Sequence, residues 1–338
     1  MNGDKISRQK LLQAIIGFFC VLFLVGCGSE ALTPVAEPPT VTSKSSFSTP
    51  DPTSLPPTST PIPILVLPLS VTVNKDLVYA NGQQPDKPVE WKLDYYAPTD
   101  PGDWPLLLFL PGAGEKKEGW TILPQAIAEQ GVIVSVIDYP NMGPTTAFQD
   151  NGKGYREVAE TVACAIRFAR ARASDFGSDT APVVIAGFSL GGGVGSHVAL
   201  FGTSLERRWE EYAASRGGPP RQVDCEVSQG STHVDSLVGI AGCYDAFVGY
   251  DGKYGREFMQ ERNPELWKML YGSIGENPDL KVRLLHSETD FVVPYENSIE
   301  FEAALAKAGY DVKLIQFIGG HTTPLELTVQ TVMDVFRD

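Results

Sequence analysis

Six short stretches constrain this chain most: Leu106–Leu110, Val132–Ile137, Val183–Phe188, Leu237–Ala241, Val282–His286 and Val312–Ile318 are dominated by apolar residues and do not alternate strictly with polar ones. A strand with one wet face alternates; a strand apolar on both sides must be covered on both. The segments between them carry helical spacing. In Tyr155–Phe176 the apolar residues fall at 158, 162, 166 and 169, and further helices are expected at about 120–130, 189–201, 296–308 and 325–336. Strands alternating with helices predict an α/β fold with a mostly parallel central sheet and helices on both faces. Val71–Tyr79 and Val89–Tyr96 do alternate, and are expected as antiparallel opening strands. Gly202–Val234 and Phe247–Pro278 interrupt the alternation, and the second reads as a small lid insertion.

The N-terminal segment has a different character. Lys5, Arg8 and Lys10 precede an apolar run from Leu11 to Val25, which ends in Leu24-Val25-Gly26-Cys27. A positive start, a short apolar core and a small residue before the cut make an export signal over residues 1–26. The run is too short for the roughly 20 residues that span a bilayer. Its ending resembles a bacterial lipobox, which implies lipidation of Cys27 and a membrane partner through that anchor. The expected location is the outer face of a bacterial membrane. Residues 27–65 read as a linker: of the 33 residues in 31–63, 22 are Pro, Ser or Thr, which cannot bury a core. The folded domain is expected over 66–338.

The formal net charge of −14 argues against nucleic acid as a partner. Neither Cys-x-x-Cys nor a His/Cys cluster has metal-ligand spacing, so no metal is expected. Cys164 falls within a helical pattern beside Ala163 and Ala165 and reads as a buried small residue. Export would let disulfides persist, and Cys225 and Cys243 are the expected pair.

The stretch "VVIAGFSLGGG" places Ser189 between Gly187 and Gly191, where a buried strand turns into a helix. Such a turn strains its central residue and excludes β-carbons two positions before and after. It leaves the hydroxyl exposed, and sets the Leu190 N–H at a helix N-terminus, where it can hold an oxyanion. A helix-capping serine is the plain alternative. A nucleophilic serine needs a base. His197 lies two turns into the nucleophile helix, His233 in the first interruption, and His286 ends a buried strand as a packed residue. His321 follows Gly319-Gly320 in a loop before the last helix, and is the expected base. Three carboxylates compete to orient it: Asp290, Glu288 and Asp245.

The segments "LLLFLPGAG", "VIDYP", "GFSLGG", "HSETDFVVP" and "GGH", in this order, resemble the α/β-hydrolase superfamily over roughly residues 71–338, in particular carboxylesterase and feruloyl-esterase-like members. The resemblance implies the order Ser189, Asp290, His321. The pattern Asp290-x-Val292-Val293-Pro294 is what favours Asp290 over Glu288. Family members often carry His-Gly-Gly-Gly after the third strand. Here Pro111-Gly112-Ala113-Gly114 stands in its place, and Ala113 is the expected second oxyanion donor. What is implied is a serine hydrolase acting on a small-molecule or polymer-linked ester through an acyl-enzyme, with no cofactor. Prolyl-peptidase-like hydrolysis, acyl transfer and a non-catalytic binding lipoprotein are the alternatives.

Overall fold

The computed structural model describes residues 68–84, 87–141, 153–178, 181–216, 223–244 and 264–337. The expected signal, Cys27, the whole of the linker, and Asp245 lie outside the described residues, as does much of the expected lid. Among the described residues no helix is long and apolar enough to cross a membrane.

Two long strands, β1 (Val71–Gln84) and β2 (Lys87–Pro98), pair antiparallel. Then follow β3 (Leu106–Leu110), α1 (Ile122–Ala128), β4 (Ile133–Ile137), α2 (Lys153–Ala173), β5 (Val183–Phe188), α3 (Leu190–Phe201) and α4 (Leu205–Arg216). The chain continues through β6 (Val223–Cys225), β7 (Ser236–Ile240), α5 (Pro264–Tyr271), β8 (Lys281–Ser287), α6 (Glu296–Lys307), β9 (Val312–Phe317) and α7 (Leu325–Arg337). Together the strands form a nine-stranded sheet in the order β6-β1-β2-β4-β3-β5-β7-β8-β9. From β4 to β9 every neighbouring pair is parallel, and β2 joins β4 antiparallel.

The doubly apolar strands serve two cores. Successive side chains of a strand point to opposite faces. Leu106, Leu108 and Leu110 accordingly pack with residues of α2, α3 and α4, while Leu107 and Phe109 pack with α1 and α7. The same split recurs in β5, where Val183 and Ile185 face one core and Val184 and Ala186 the other. Parallel strands connected by helices align their carboxyl ends along one edge of the sheet, and ligand sites form there.

The expected Cys225–Cys243 bond is not formed. The disulfide joins Cys164 to Cys225, with Cα atoms 5.1 Å apart. The reason is β6, a three-residue strand inside Gly202–Val234 that pairs Cys225 with Ala80 at the edge of the sheet. Helix α2 covers that edge, so the fully buried Cys164 meets Cys225 there. Cys243 follows β7, six strand positions away in the sheet. At about 4.8 Å per position that is about 29 Å, far beyond the reach of a disulfide.

Candidate active site

Ser189 has φ 53° and ψ −118°, one of three non-glycine residues with positive φ among the described residues. Its side chain makes no cap hydrogen bond to α3, which removes the helix-capping alternative. The backbone is pinned on both sides: its N–H donates to Ile240 O at 2.8 Å, and its carbonyl accepts from Cys243 N–H at 3.1 Å. The flanking glycines leave no room for substitution. A Cβ on Gly187 would sit 2.2 Å from Gly191 O, and one on Gly191 would sit 2.1 Å from Leu110 O. That second contact shows how closely the start of α3 approaches the end of β3.

His321 and Asp290 are brought together. Asp290 Oδ2 lies 2.7 Å from His321 Nδ1. Asp290 Oδ1 accepts the N–H groups of Val292 and Val293 at 2.8 and 3.0 Å. Burial alone would raise this carboxyl; the His321 hydrogen bond and the two backbone N–H groups outweigh it and hold the group below its ordinary value. Two loops must stay in register for this pair. Ser287 binds them, its hydroxyl donating to Gly319 O and accepting Gly319 N–H at 3.0 Å. Thr289 Oγ1 also donates to Gly319 O. The His321 ring packs on Phe188, the residue before Ser189, with centroids 4.9 Å apart. Glu288 is exposed on the same loop. The Ser189 hydroxyl makes no hydrogen bond among the described residues; such contacts often close only when substrate is bound.

His286 adds a residue that the packed-core reading missed. It is fully buried, as expected of a packed residue. Yet its Nε2 lies 2.9 Å from Val293 O and 3.2 Å from Asp290 Oδ2, and its Nδ1 lies 2.6 Å from Ser298 Oγ. A carbonyl only accepts, so Nε2 carries the proton and Nδ1 accepts from Ser298. Burial depresses the pKa of this ring and keeps it neutral. The signal in the sequence was the four-residue spacing in "HSETD", which brings the strand-end ring back onto the acid of the following loop.

Pro111–Gly114 follows β3. Gly112 N–H is committed to Glu115 Oε2 at 2.8 Å, and Gly114 N–H to Asn141 O at 3.2 Å. The N–H groups of Ala113 and Leu190 have no acceptor among the described residues. The following turn is anchored by Lys117. Its buried ammonium meets Asp76, Asp94 and Glu118 at 2.7 to 2.9 Å, and its N–H donates to Asp138 Oδ1 at 3.0 Å. Those carboxylates raise the pKa of the ammonium despite its burial. Trp120 donates to Glu115 Oε2 at 3.0 Å and packs between Phe109 and Phe188.

The remaining histidines stand apart from this arrangement. His197 is buried in α3, and His233 pairs with Asp235 at 3.4 Å. Among the described residues no group of three or more His, Cys, Asp or Glu is placed to hold a metal.

Residues 107–326 match the Alpha/beta hydrolase family. The chain is 26% identical over 271 residues to a probable isoprenylcysteine alpha-carbonyl methylesterase of Oryza sativa subsp. japonica, covering 73% of this chain and 57% of the relative. It is 28% identical over 223 residues to esterase LipC of Mycobacterium tuberculosis, covering 60% and 48%. It thus spans about half the length of the curated relatives it matches. Among solved structures, a truncated carbohydrate esterase from gut microbiota superposes with a TM-score of 0.55 at 19% identity, over 79% of this chain and 97% of that one. Esterase Est2 of Thermogutta terrifontis superposes at 0.52 and 17% identity, over 77% and 92%.

Proposed function

Since the chain belongs to the Alpha/beta hydrolase family, we propose that it is a serine hydrolase that cleaves carboxylic esters with Ser189, His321 and Asp290. Ser189 Oγ attacks the ester carbonyl while His321 Nε2 takes its proton. Asp290, bonded to Nδ1, holds the tautomer that leaves Nε2 free to accept, and stabilises the imidazolium that forms. The N–H groups of Ala113 and Leu190 hold the oxyanion. His321 then returns the proton to the leaving alcohol, and water, deprotonated by the same ring, releases the acid from Ser189.

The observation that carries this reading is the 2.7 Å Asp290–His321 pair packed beside the strained Ser189 turn. The esterase activities named for the relatives support ester as the substrate class, and the carbohydrate esterase leaves room for a polymer-linked ester. Phe291, Val292 and Ile318 are exposed beside the acid and base, an apolar rim suited to an ester with an apolar part. A panel of p-nitrophenyl esters of graded acyl length tests the proposal. Ser189→Ala should lose on the order of 10⁴–10⁶ in turnover on the best of them; a variant within tenfold of the parent would remove the proposed nucleophile. Alcohol acceptors added to the same assay separate hydrolysis from acyl transfer.

Export and anchoring belong to the same proposal. The "LVGC" ending behind an apolar run, followed by a linker, supports lipidation at Cys27. Cys27→Ser should shift the protein to the soluble fraction or block its processing. Normal processing with retention in the membrane would point to another anchor.

A further inference from the structure

We propose that Asn141 is the positioning residue of the oxyanion hole, its amide gripping the Gly112 carbonyl and so aiming the Ala113 N–H at the ester oxygen. The proposal rests on the reading of Ser189 as nucleophile and Ala113 as donor.

The Gly112 carbonyl and the Ala113 N–H belong to one peptide unit. No cis bond occurs among the described residues, and in a trans unit these two groups point in opposite directions. Whatever holds the carbonyl therefore aims the N–H. Asn141 Nδ2 donates to Gly112 O at 2.9 Å and, with its other hydrogen, to Glu115 O at 2.6 Å. The reversed amide would set its oxygen against two carbonyls, which fixes the assignment. Asn141 O also accepts Gly114 N–H at 3.2 Å, and Glu115 N–H supplies a longer second bond to Gly112 O at 3.2 Å. On the other side of Gly112, its N–H is taken by Glu115 Oε2 and the Pro111 carbonyl by Tyr139 Oη at 2.6 Å. The loop thus has its carbonyls drawn inward by Tyr139 and Asn141, and the Ala113 N–H is left without an acceptor among the described residues. Without the Asn141 amide, one weak bond opposes rotation of the unit. Rotation would turn the Gly112 oxygen toward the developing oxyanion and repel it.

Asn141→Ala and the same-size Asn141→Asp are compared with the parent on one p-nitrophenyl ester, alongside Ser189→Ala. Loss of a single oxyanion donor costs about 10²–10³ in kcat, so a misaimed donor should cost roughly 10–100-fold. KM should stay within about threefold, because the donor acts on the transition state. A boronic acid inhibitor, whose adduct on serine mimics that state, should weaken by the same factor as kcat. If Ser189→Ala is inactive while both Asn141 variants keep kcat within threefold, the role of Asn141 is overturned alone. Lost turnover with unchanged boronate affinity overturns it as well. If Ser189→Ala stays active, the reading of the whole site falls, and this one with it. A crystal structure of the unmodified protein with the boronate tests it without a variant: Asn141 should remain on Gly112 O with a boronate oxygen about 2.7–3.1 Å from Ala113 N, and a rotated peptide unit would overturn it.

Discussion

Asp290 has every oxygen committed: Oδ1 to two backbone N–H groups, Oδ2 to His321 and, at 3.2 Å, to His286. Such a carboxylate cannot turn, and the His321 ring bound to it keeps one tautomer. Asp290→Asn keeps the shape but favours the wrong tautomer, and should cost about 10⁴ in kcat, as in the serine protease triad. His286→Phe keeps the ring volume and removes the 3.2 Å contact of Nε2 with the Asp290 carboxylate, along with the bonds to Val293 O and Ser298 Oγ. About 1.5 kcal/mol for a contact with a charged group corresponds to roughly tenfold in rate. Steady-state kinetics of both variants should rank Asp290→Asn far below His286→Phe. Equal losses would mean that Asp290 serves only to pack the loop.

The elements around Ser189 are built for close approach, and α3 shows the cost. Glycines at 191, 192 and 193 bring its first turn against the ends of β3 and β7. Two turns later the same helix buries His197 among Phe201, Trp209 and Tyr155, with ring centroids at 4.7, 6.0 and 6.5 Å. Neither of its nitrogens has a partner among the described residues, and burial lowers its pKa to about 3. The unfolded chain binds a proton near pH 6.5, the folded one does not, so stability falls as pH drops from 6.5 toward 3. His197→Leu should remove that dependence. Between pH 7.5 and 5.5 the parent should lose about 1.4 kcal/mol more than the variant, as read from urea unfolding at the two pH values. Identical losses would show that the ring is protonated in the folded state. Helix α3 itself was legible from its small residues and the strand before it. Strand β6 was not: three residues carry no usable period, and their place is set by pairing with β1.

Across the whole molecule, the parallel sheet was readable because each central strand needs apolar residues on both faces, a pattern that survives without knowledge of neighbours. The Ser189 turn was readable for a similar reason, since the glycines serve backbone geometry at fixed spacing. What escaped depends on contacts distant in the chain. The Asn141 grip on Gly112 spans 29 residues, and the Cys164–Cys225 bond spans 61. Closing a loop of that length is worth about 4 kcal/mol in the chain-entropy model. Reduction, or the Cys164→Ala/Cys225→Ala pair, should lower unfolding stability by roughly that amount while leaving Cys243 and the Ser189 turn in place. An unchanged denaturation midpoint would show that the bond does not form in solution. The central claim, that Ser189 is the group that carries the acyl chain, is tested most directly by a fluorophosphonate probe followed by peptide mapping. One adduct on Ser189, absent from Ser189→Ala, is the expected result; an adduct elsewhere, or undiminished labelling of Ser189→Ala, would contradict it.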